Sequence, residues 1–433
     1  MSQKVCMFVW NHFTNDARVL RECTALSEAG YEVDLIAIHD WKQPNMARCE
    51  KRNENFKLIR VNNRLKFLGA INRVKRLAMR NIVTKAASVL IAGLAIWKAP
   101  IITLILFALF GMLLVKKIRQ NLSRSYIASQ MIYHGLKRNY SIYHSNDLNT
   151  LPQGVICSKI LTFKRKKLIY DSHEIQTSRT GYNSKWYGIA EKFYLNFVDV
   201  TIHENHTRAA YHEKLYGVYP EVLHNYPFVQ RPELNDSVNM HELLGLPEDE
   251  PILLYQGGIQ IGRGLEKIVE AVPLFKRGTM VFIGDGKQKP SLQQRVKELG
   301  LEGRIRFIDK IPVEQLLHYT RNAYLGFQVL NNICYNHYSA SSNKLFEYMM
   351  CGIPVVACSF PEIKKVVEGN HTGICIDSHS PESIAEGVNF LLNNPDVHQQ
   401  MKENCFKARH KYNWDEEKKI FLKIYNRIRS EVS

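Results

Sequence analysis

Residues 339–358 read Ser-Ala-Ser-Ser-Asn-Lys-Leu-Phe-Glu-Tyr-Met-Met-Cys-Gly-Ile-Pro-Val-Val-Ala-Cys. Ser341, Ser342 or Asn343 can cap a helix, Leu345, Phe346, Met349 and Met350 give it apolar stripes, and Gly352 with Pro354 stops it before a short apolar strand. The stretch predicts helix, tight turn, strand. Glu347 stands in the middle, a carboxylate among apolar neighbours, where an ionised group is costly unless its oxygens are satisfied. A carboxylate can accept two hydroxyls together, as the diol of a ribose offers; an ion pair or a solvent-facing position would satisfy it as well.

Upstream, 252–255 predicts a strand, 256–264 a glycine-rich turn and 265–272 a helix. Gly257, Gly258 and Gly262 let backbone N–H groups approach an anion, the positive end of the following helix faces it, and Arg263 supplies a forked cation suited to phosphate oxygens. The order of elements suits a diphosphate, although the spacing is not that of a P-loop. The strand at 280–283 ends in Gly284-Asp285-Gly286, a further turn on the same edge. Strands at 305–308, 324–329 and 374–376 and helices at 313–321 and 381–392 extend the alternation. Asn413 caps a terminal helix whose Ile420, Phe421, Ile424, Tyr425 and Ile428 keep helical spacing.

The N-terminal half repeats this grammar. An apolar run at 4–10, a polar loop at 11–16, a helix at 17–29 with Val19, Leu20, Cys23, Leu26 and Ser27 inward, Gly30 and a strand at 31–38 make one βαβ unit. Strands at 141–144 and 167–170 each run into a polar cluster, one holding Asp147 and the other reading Asp171-Ser172-His173-Glu174. Both clusters fall at the carboxyl edge of a sheet, where open α/β folds bind ligands. A polar, proline-bearing segment at 224–235 predicts a hinge, and 433 residues are enough for two cores.

The net charge of +17 is local. Residues 55–146 hold sixteen Lys and Arg and no Asp or Glu, so the rest of the chain is nearly neutral. Within that segment, 86–115 carries a single charge, Lys98, and Pro100 divides it into apolar runs too short for a confident bilayer crossing. Strands before and after must join one sheet, which argues against a single crossing. A helical hairpin dipping into one leaflet or lying in the interface, with 64–85 and 116–124 against anionic head groups, fits both facts. A buried hydrophobic hairpin and a dimer contact are the alternatives. An apolar core of this length does not suit nucleic acid. Nine cysteines without a CxxC pair, and an N-terminus running straight into a strand, predict a reducing, cytoplasmic location with peripheral or monotopic attachment to the membrane. No metal-ligand spacing appears.

Asn343 to Met349 followed by Cys351-Gly352-Ile353-Pro354-Val355-Val356 resembles the donor-site segment of GT-B retaining glycosyltransferases of family 4. The resemblance implies two Rossmann-like doubly wound domains facing across a cleft. These are an N-terminal acceptor-side domain at 1–223 with a hydrophobic helical insert at 64–124, the hinge at 224–235, a nucleotide-sugar domain at 236–412 and a terminal helix at 413–433 packing back. It implies that Glu347 holds the ribose and Arg263 the diphosphate, with Gly257, Gly258, Gly284, Asn343 and Lys344 around the donor. His173 would stand beside the reacting sugar, and Asn15, Asp16, Asp147 and Asp171 on the acceptor side. Three departures stand out: the first loop reads Asn11-His12-Phe13-Thr14-Asn15-Asp16 where most members place glycines, Gly258 and Arg263 occupy positions where the family commonly has Arg and Lys, and Ser339 stands where many members have a second glutamate. The implied reaction moves a sugar, of hexosyl type, from a nucleotide donor to a membrane-presented or lipid-linked glycan, as in polysaccharide or glycolipid synthesis, without metal or other cofactor. A nucleotide-sugar epimerase and a non-catalytic scaffold are the rival readings.

Overall fold

The computed structural model describes residues 3–14, 16–43, 45–162, 166–179, 185–229 and 238–430. Contacts divide the chain into two compact units, Met1–Tyr170 with Phe197–Asp199, and Asp171–Asn196 with the chain from Val200 onward. Residues 230–235 of the expected hinge, and Asn15, lie outside the described residues.

The first unit is built on β1 (Lys4–Phe8), β2 (Glu32–Ile38), β3 (Cys49–Lys51), β4 (Phe56–Val61), β5 (Ile142–Asn146) and β6 (Lys167–Ser172), in the order β3-β4-β2-β1-β5-β6. β1 pairs in parallel with β2 and β5, Lys4 opposite Glu32 and Val5 opposite Ile142, so the expected βαβ unit forms. The hairpin of β3 and β4 was not legible in the sequence, because Lys51, Lys57 and Arg60 interrupt its apolar run. α1 (Ala17–Glu28) buries Val19, Cys23 and Leu26 as expected but leaves Leu20 exposed. In its place Arg18 and Glu22 go inside as an ion pair of 3.0 Å, each charge answered by the other.

The segment 64–124 is helical: α2 (Lys66–Ala78), α3 (Ile82–Lys98), α4 (Pro100–Leu114) and the first part of α5 (Lys116–Leu136). Asn81 caps α3 through the Thr84 N–H, and Ala99 breaks the path ahead of Pro100, which takes the first turn of α4, where its missing N–H costs nothing. Thr103 Oγ1 donates to Ala95 O at 2.9 Å and so ties α4 to α3. The buried-hairpin alternative is overturned. No residue of α3 is buried, Thr103 is the one buried residue of α4, and Ile82, Trp97 and Ile101 are 83%, 78% and 73% exposed.

The second unit carries the parallel pair β7 (Val200–His203) and β8 (Glu221–Val222). Its main sheet is six-stranded, ordered β11-β10-β9-β12-β13-β14, with β9 (Ile252–Gln256), β10 (Thr279–Ile283), β11 (Ile305–Ile308), β12 (Leu325–Gln328), β13 (Val355–Cys358) and β14 (Gly373–Ile376). All the registered pairs are parallel, such as Leu253 with Met280 and Gly326 with Val355. Helices cover both faces, so the strands read as continuous apolar runs with every residue of β9 and β10 buried. In the terminal helix, Trp414–Ser430, Phe421, Ile424, Tyr425 and Ile428 are buried and Ile420 is exposed. It meets the 221–227 segment, where His224 N donates to Glu417 Oε2 at 2.9 Å.

Candidate functional site

At the carboxyl end of β9 the chain turns sharply into the loop that leads to the helix Leu265–Ala271. Gly257 does so at φ 121°, a conformation that side chains rarely adopt, with its N–H on Ile283 O at 2.9 Å. Gly284, ending β10, lies so close that a Cβ there would come within 1.9 Å of Gly257 O. The two glycines therefore allow the two turns to nest. Gly284 itself is not among the residues that line the adjoining cavity. The helix that follows the loop, Leu265–Ala271, is only seven residues long.

The opening helix is confirmed as Asn343–Cys351, ended by Gly352 at φ 72°. Ser342 holds the N-cap position, though no side-chain cap bond forms. Lys344, Leu345, Phe346, Tyr348, Met349, Met350 and Cys351 are buried, and Glu347 alone of its middle turn is half-exposed. Tyr348 pins the helix to β9, its hydroxyl donating to Leu254 O at 3.0 Å and accepting from Gln256 N–H at 3.2 Å.

These two pieces line one cavity of about 900 Å³, within the range of small-molecule sites. Gly257, Gly258, Arg263, Asn343, Lys344 and Glu347 all border it. Glu347 Oε2 accepts from Gln256 Nε2 at 2.7 Å, and the Gln256 carbonyl oxygen accepts from Thr320 Oγ1 at 2.7 Å. Lys344 lies with its ammonium 4.6 Å from the Tyr255 ring centre and 3.4 Å from the Tyr255 hydroxyl. Burial pushes the Lys344 ammonium down to about 7, Arg263 adds to that depression, and Glu347 opposes it. The same burial raises Tyr255 to about 12. The cavity thus holds a cation that an arriving anion would complete.

The other expected residues lie elsewhere. His173 is outside the lining; its Nε2 sits 3.4 Å from Asp171 Oδ2 and its carbonyl accepts from Arg208 Nη1 at 2.5 Å. Asp171 is fully buried. Asp16 caps α1, accepting the Val19 N–H at 3.2 Å and the Asn11 amide at 2.7 Å. Asp147 adopts a left-handed turn at φ 62°. Ser339 is buried, donating to Tyr335 O at 2.7 Å and receiving Arg208 Nε at 3.3 Å, so it does not border the cavity.

Gln256, Arg208 and His337 went unnoticed in the sequence. His337 borders the cavity and is lowered from its ordinary value by burial, with Nδ1 at 3.1 Å from Asn331 O. Arg208 also borders it, held by Glu204 and by Asn336 O at 3.2 Å. A signal existed for Gln256 alone, an amide closing an apolar strand just before the glycines. Arg208 resembles any solvent-facing arginine on a short helix.

The sequence profile of the family described as Glycosyl transferases group 1 matches residues 237–408. A D-inositol 3-phosphate glycosyltransferase of a Nocardioides species is 26% identical over 223 residues, covering 47% of this chain and 47% of that protein. The alpha-D-kanosaminyltransferase of Streptomyces kanamyceticus is 27% identical over 195 residues, covering 43% and 49%. The chain spans about half the length of the curated relatives it matches. Over its whole length it superposes on sucrose-phosphate synthase from Thermosynechococcus elongatus with a TM-score of 0.72 at 16% identity, covering 99% of this chain and 100% of that one. Anabaena HepE in complex with UDP and glucose gives 0.67 at 14% identity, covering 98% and 99%. At such identities the likeness is one of fold. Residues 237–408 are thus similar to the glycosyl transferases group 1 family, and the chain as a whole has the GT-B fold of these solved structures.

Proposed function

We propose that this protein is a retaining glycosyltransferase that moves a sugar from a nucleotide-sugar donor to a glycan acceptor presented at a membrane. The observation that carries the donor half is the single cavity shared by Glu347, Arg263, Lys344 and the turn at Gly257. In this reading Glu347, oriented by its bond to Gln256, accepts the two ribose hydroxyls, while Arg263 and Lys344 face the diphosphate. The bond from the anomeric carbon to the diphosphate oxygen breaks as the bond to an acceptor hydroxyl forms, and negative charge grows on the leaving group. Cations already held in place lower that barrier without reorganising at the moment of reaction. The UDP named with HepE makes UDP the first nucleotide to try.

The acceptor half rests on α2 to α5. A solvent-exposed apolar surface of this extent marks an interaction site, and a segment that is basic on both flanks of it suits anionic lipid. Among the described residues no single helix is long and apolar enough to cross a membrane; α3, of seventeen residues, reaches about 25 Å at 1.5 Å per residue, short of a core of about 30 Å. α2 bends from α3 by 112° and α4 from α5 by 82°. A pair that dips into the bilayer would thereby leave α2 and α5 lying along its surface, with Arg73, Arg76, Lys116 and Lys117 among head groups.

The test is a thermal-shift panel of UDP, GDP, ADP and their sugars with Glu347→Ala as control. A ligand at a hundred times its Kd adds about 2.7 kcal/mol. Stabilisation by one nucleotide that is lost in Glu347→Ala supports the reading, and no stabilisation by any of them points to a scaffold without donor chemistry.

A further inference from the structure

We propose that the first unit holds a second anion site, a pocket for a phosphoryl group between β3, β4 and the C-terminal turns of α5. The cavity there is about 610 Å³. Its walls gather Arg48, Lys57, Arg60, His134, Lys137 and Arg138. Two of these charges are answered. Arg60 pairs with Glu50, and Arg138 pairs with Glu32 and with Asp34 at 2.9 Å. Asp34 is the one carboxylate in the lining and is also taken by the Tyr140 hydroxyl.

Arg48, Lys57 and Lys137 have no carboxylate partner among the described residues. Lys57 instead stands directly across the β3–β4 ladder from Lys51, a like-charge pairing that destabilises a hairpin. Lys137 rests its ammonium 4.6 Å from the Tyr133 ring centre. His134 is held below its ordinary value first by burial and then by Lys137 and Lys57, so the imidazole senses both ammonium groups. Three cations without a carboxylate partner around this pocket form a site that a doubly charged oxyanion completes, and the guanidinium of Arg48 matches phosphate oxygens in pairs. The volume leaves room for whatever the phosphoryl group is attached to.

The phosphoryl group can come from a soluble phosphate ester or from a lipid head group. His134 lies eighteen residues along α5 from Lys116, about 27 Å at 1.5 Å per residue, so a lipid source requires α5 to run along the bilayer surface. The pocket shares no residue with the cavity at Glu347, and it stands whether or not a donor binds there.

Cys49 is exposed, lines the pocket and reports on its occupancy. The full chain is treated with an anionic thiol reagent, and modification of the Cys49 peptide is timed by mass spectrometry. It is timed with inorganic phosphate, with phosphatidylglycerol vesicles, and with sodium chloride of equal ionic strength. A phosphoryl group at four times its Kd occupies about 80% of the pockets and slows labelling about fivefold. Slowing by inorganic phosphate that disappears in Lys57→Gln/Lys137→Gln supports the site and assigns it to soluble phosphates. Slowing by vesicles alone, lost in the double variant while it still sediments with vesicles, supports the site and assigns it to a head group. Equal rates under all three conditions, or slowing that persists in the double variant, overturn the proposal; an unchanged melting temperature shows that the variant is folded.

Discussion

Gln256 Nε2 donates to Glu347 Oε2 at 2.7 Å, while Thr320 Oγ1 donates to the other end of the same amide at 2.7 Å. Gln256 is fully buried at the end of β9, so its amide cannot turn away and the carboxylate is held in one orientation. Gln256→Leu keeps the volume and removes both bonds. A hydrogen bond to a charged group contributes about 1.5–3 kcal/mol, so the Kd for UDP should rise by at least about tenfold. Calorimetric titration checks this, and an unchanged Kd in a folded variant would show that Glu347 needs no such support.

Lys344 offers a test through protons. Its ammonium falls to about 7 in the folded chain against an ordinary 10.5. Between those values the unfolded chain binds more protons than the folded one, so the destabilisation from burying this charge is fully present below pH 7 and fades as pH rises towards 10.5. A diphosphate beside Lys344 favours the charged form and raises its pKa. Binding of UDP at pH 8 should therefore take up part of a proton, visible as a dependence of the measured enthalpy on the ionisation enthalpy of the buffer. Lys344→Met should abolish that dependence.

Gly284 and Gly303 form a matched pair. A methyl group at Gly284 would sit 1.9 Å from Gly257 O on a backbone of φ 149°, whereas at Gly303 it meets nothing within 4 Å. Gly284→Ala should cost at least about 2 kcal/mol and disturb the turn at Gly257, and Gly303→Ala should change stability by less than about 0.5 kcal/mol. Denaturant titration of both variants measures the difference.

The insert can be removed without touching the donor cavity. Replacing 86–115 by a short polar loop should release the protein from phosphatidylglycerol vesicles in a sedimentation assay and leave nucleotide stabilisation intact. The basic residues that remain on α2 and α5 contribute about 1 kcal/mol each near an anionic surface and are weakened by salt. Residual binding that disappears in high salt fits this division; full binding of the deletion variant would refute the membrane assignment.

Much of the fold was legible because its signals are local. The helix at 343–351, its stop at Gly352 and the apolar strands of the second unit depend on residues a few positions apart, and so does the break between α3 and α4 at Pro100. Inward and outward faces were less secure. Hydrophobicity alone puts Leu20 inside and Arg18 outside, yet the ion pair with Glu22 lets Arg18 be buried and leaves Leu20 in solvent. Ile420 fails in the same way at the edge of its helix.

From the chain alone came the order of elements, the glycine turns at strand ends, the acid-free basic segment and the residue types suited to a nucleotide diphosphate, since each is a property of short windows. Folding in three dimensions decided which of those residues meet. Gln256 reaches Thr320 across 64 positions and Glu347 across 91, Lys344 is driven against Tyr255, and Asp16 is spent on capping a helix. Burial, charge and hydrogen bonding act over ångströms in space, and separation along a chain does not measure that distance.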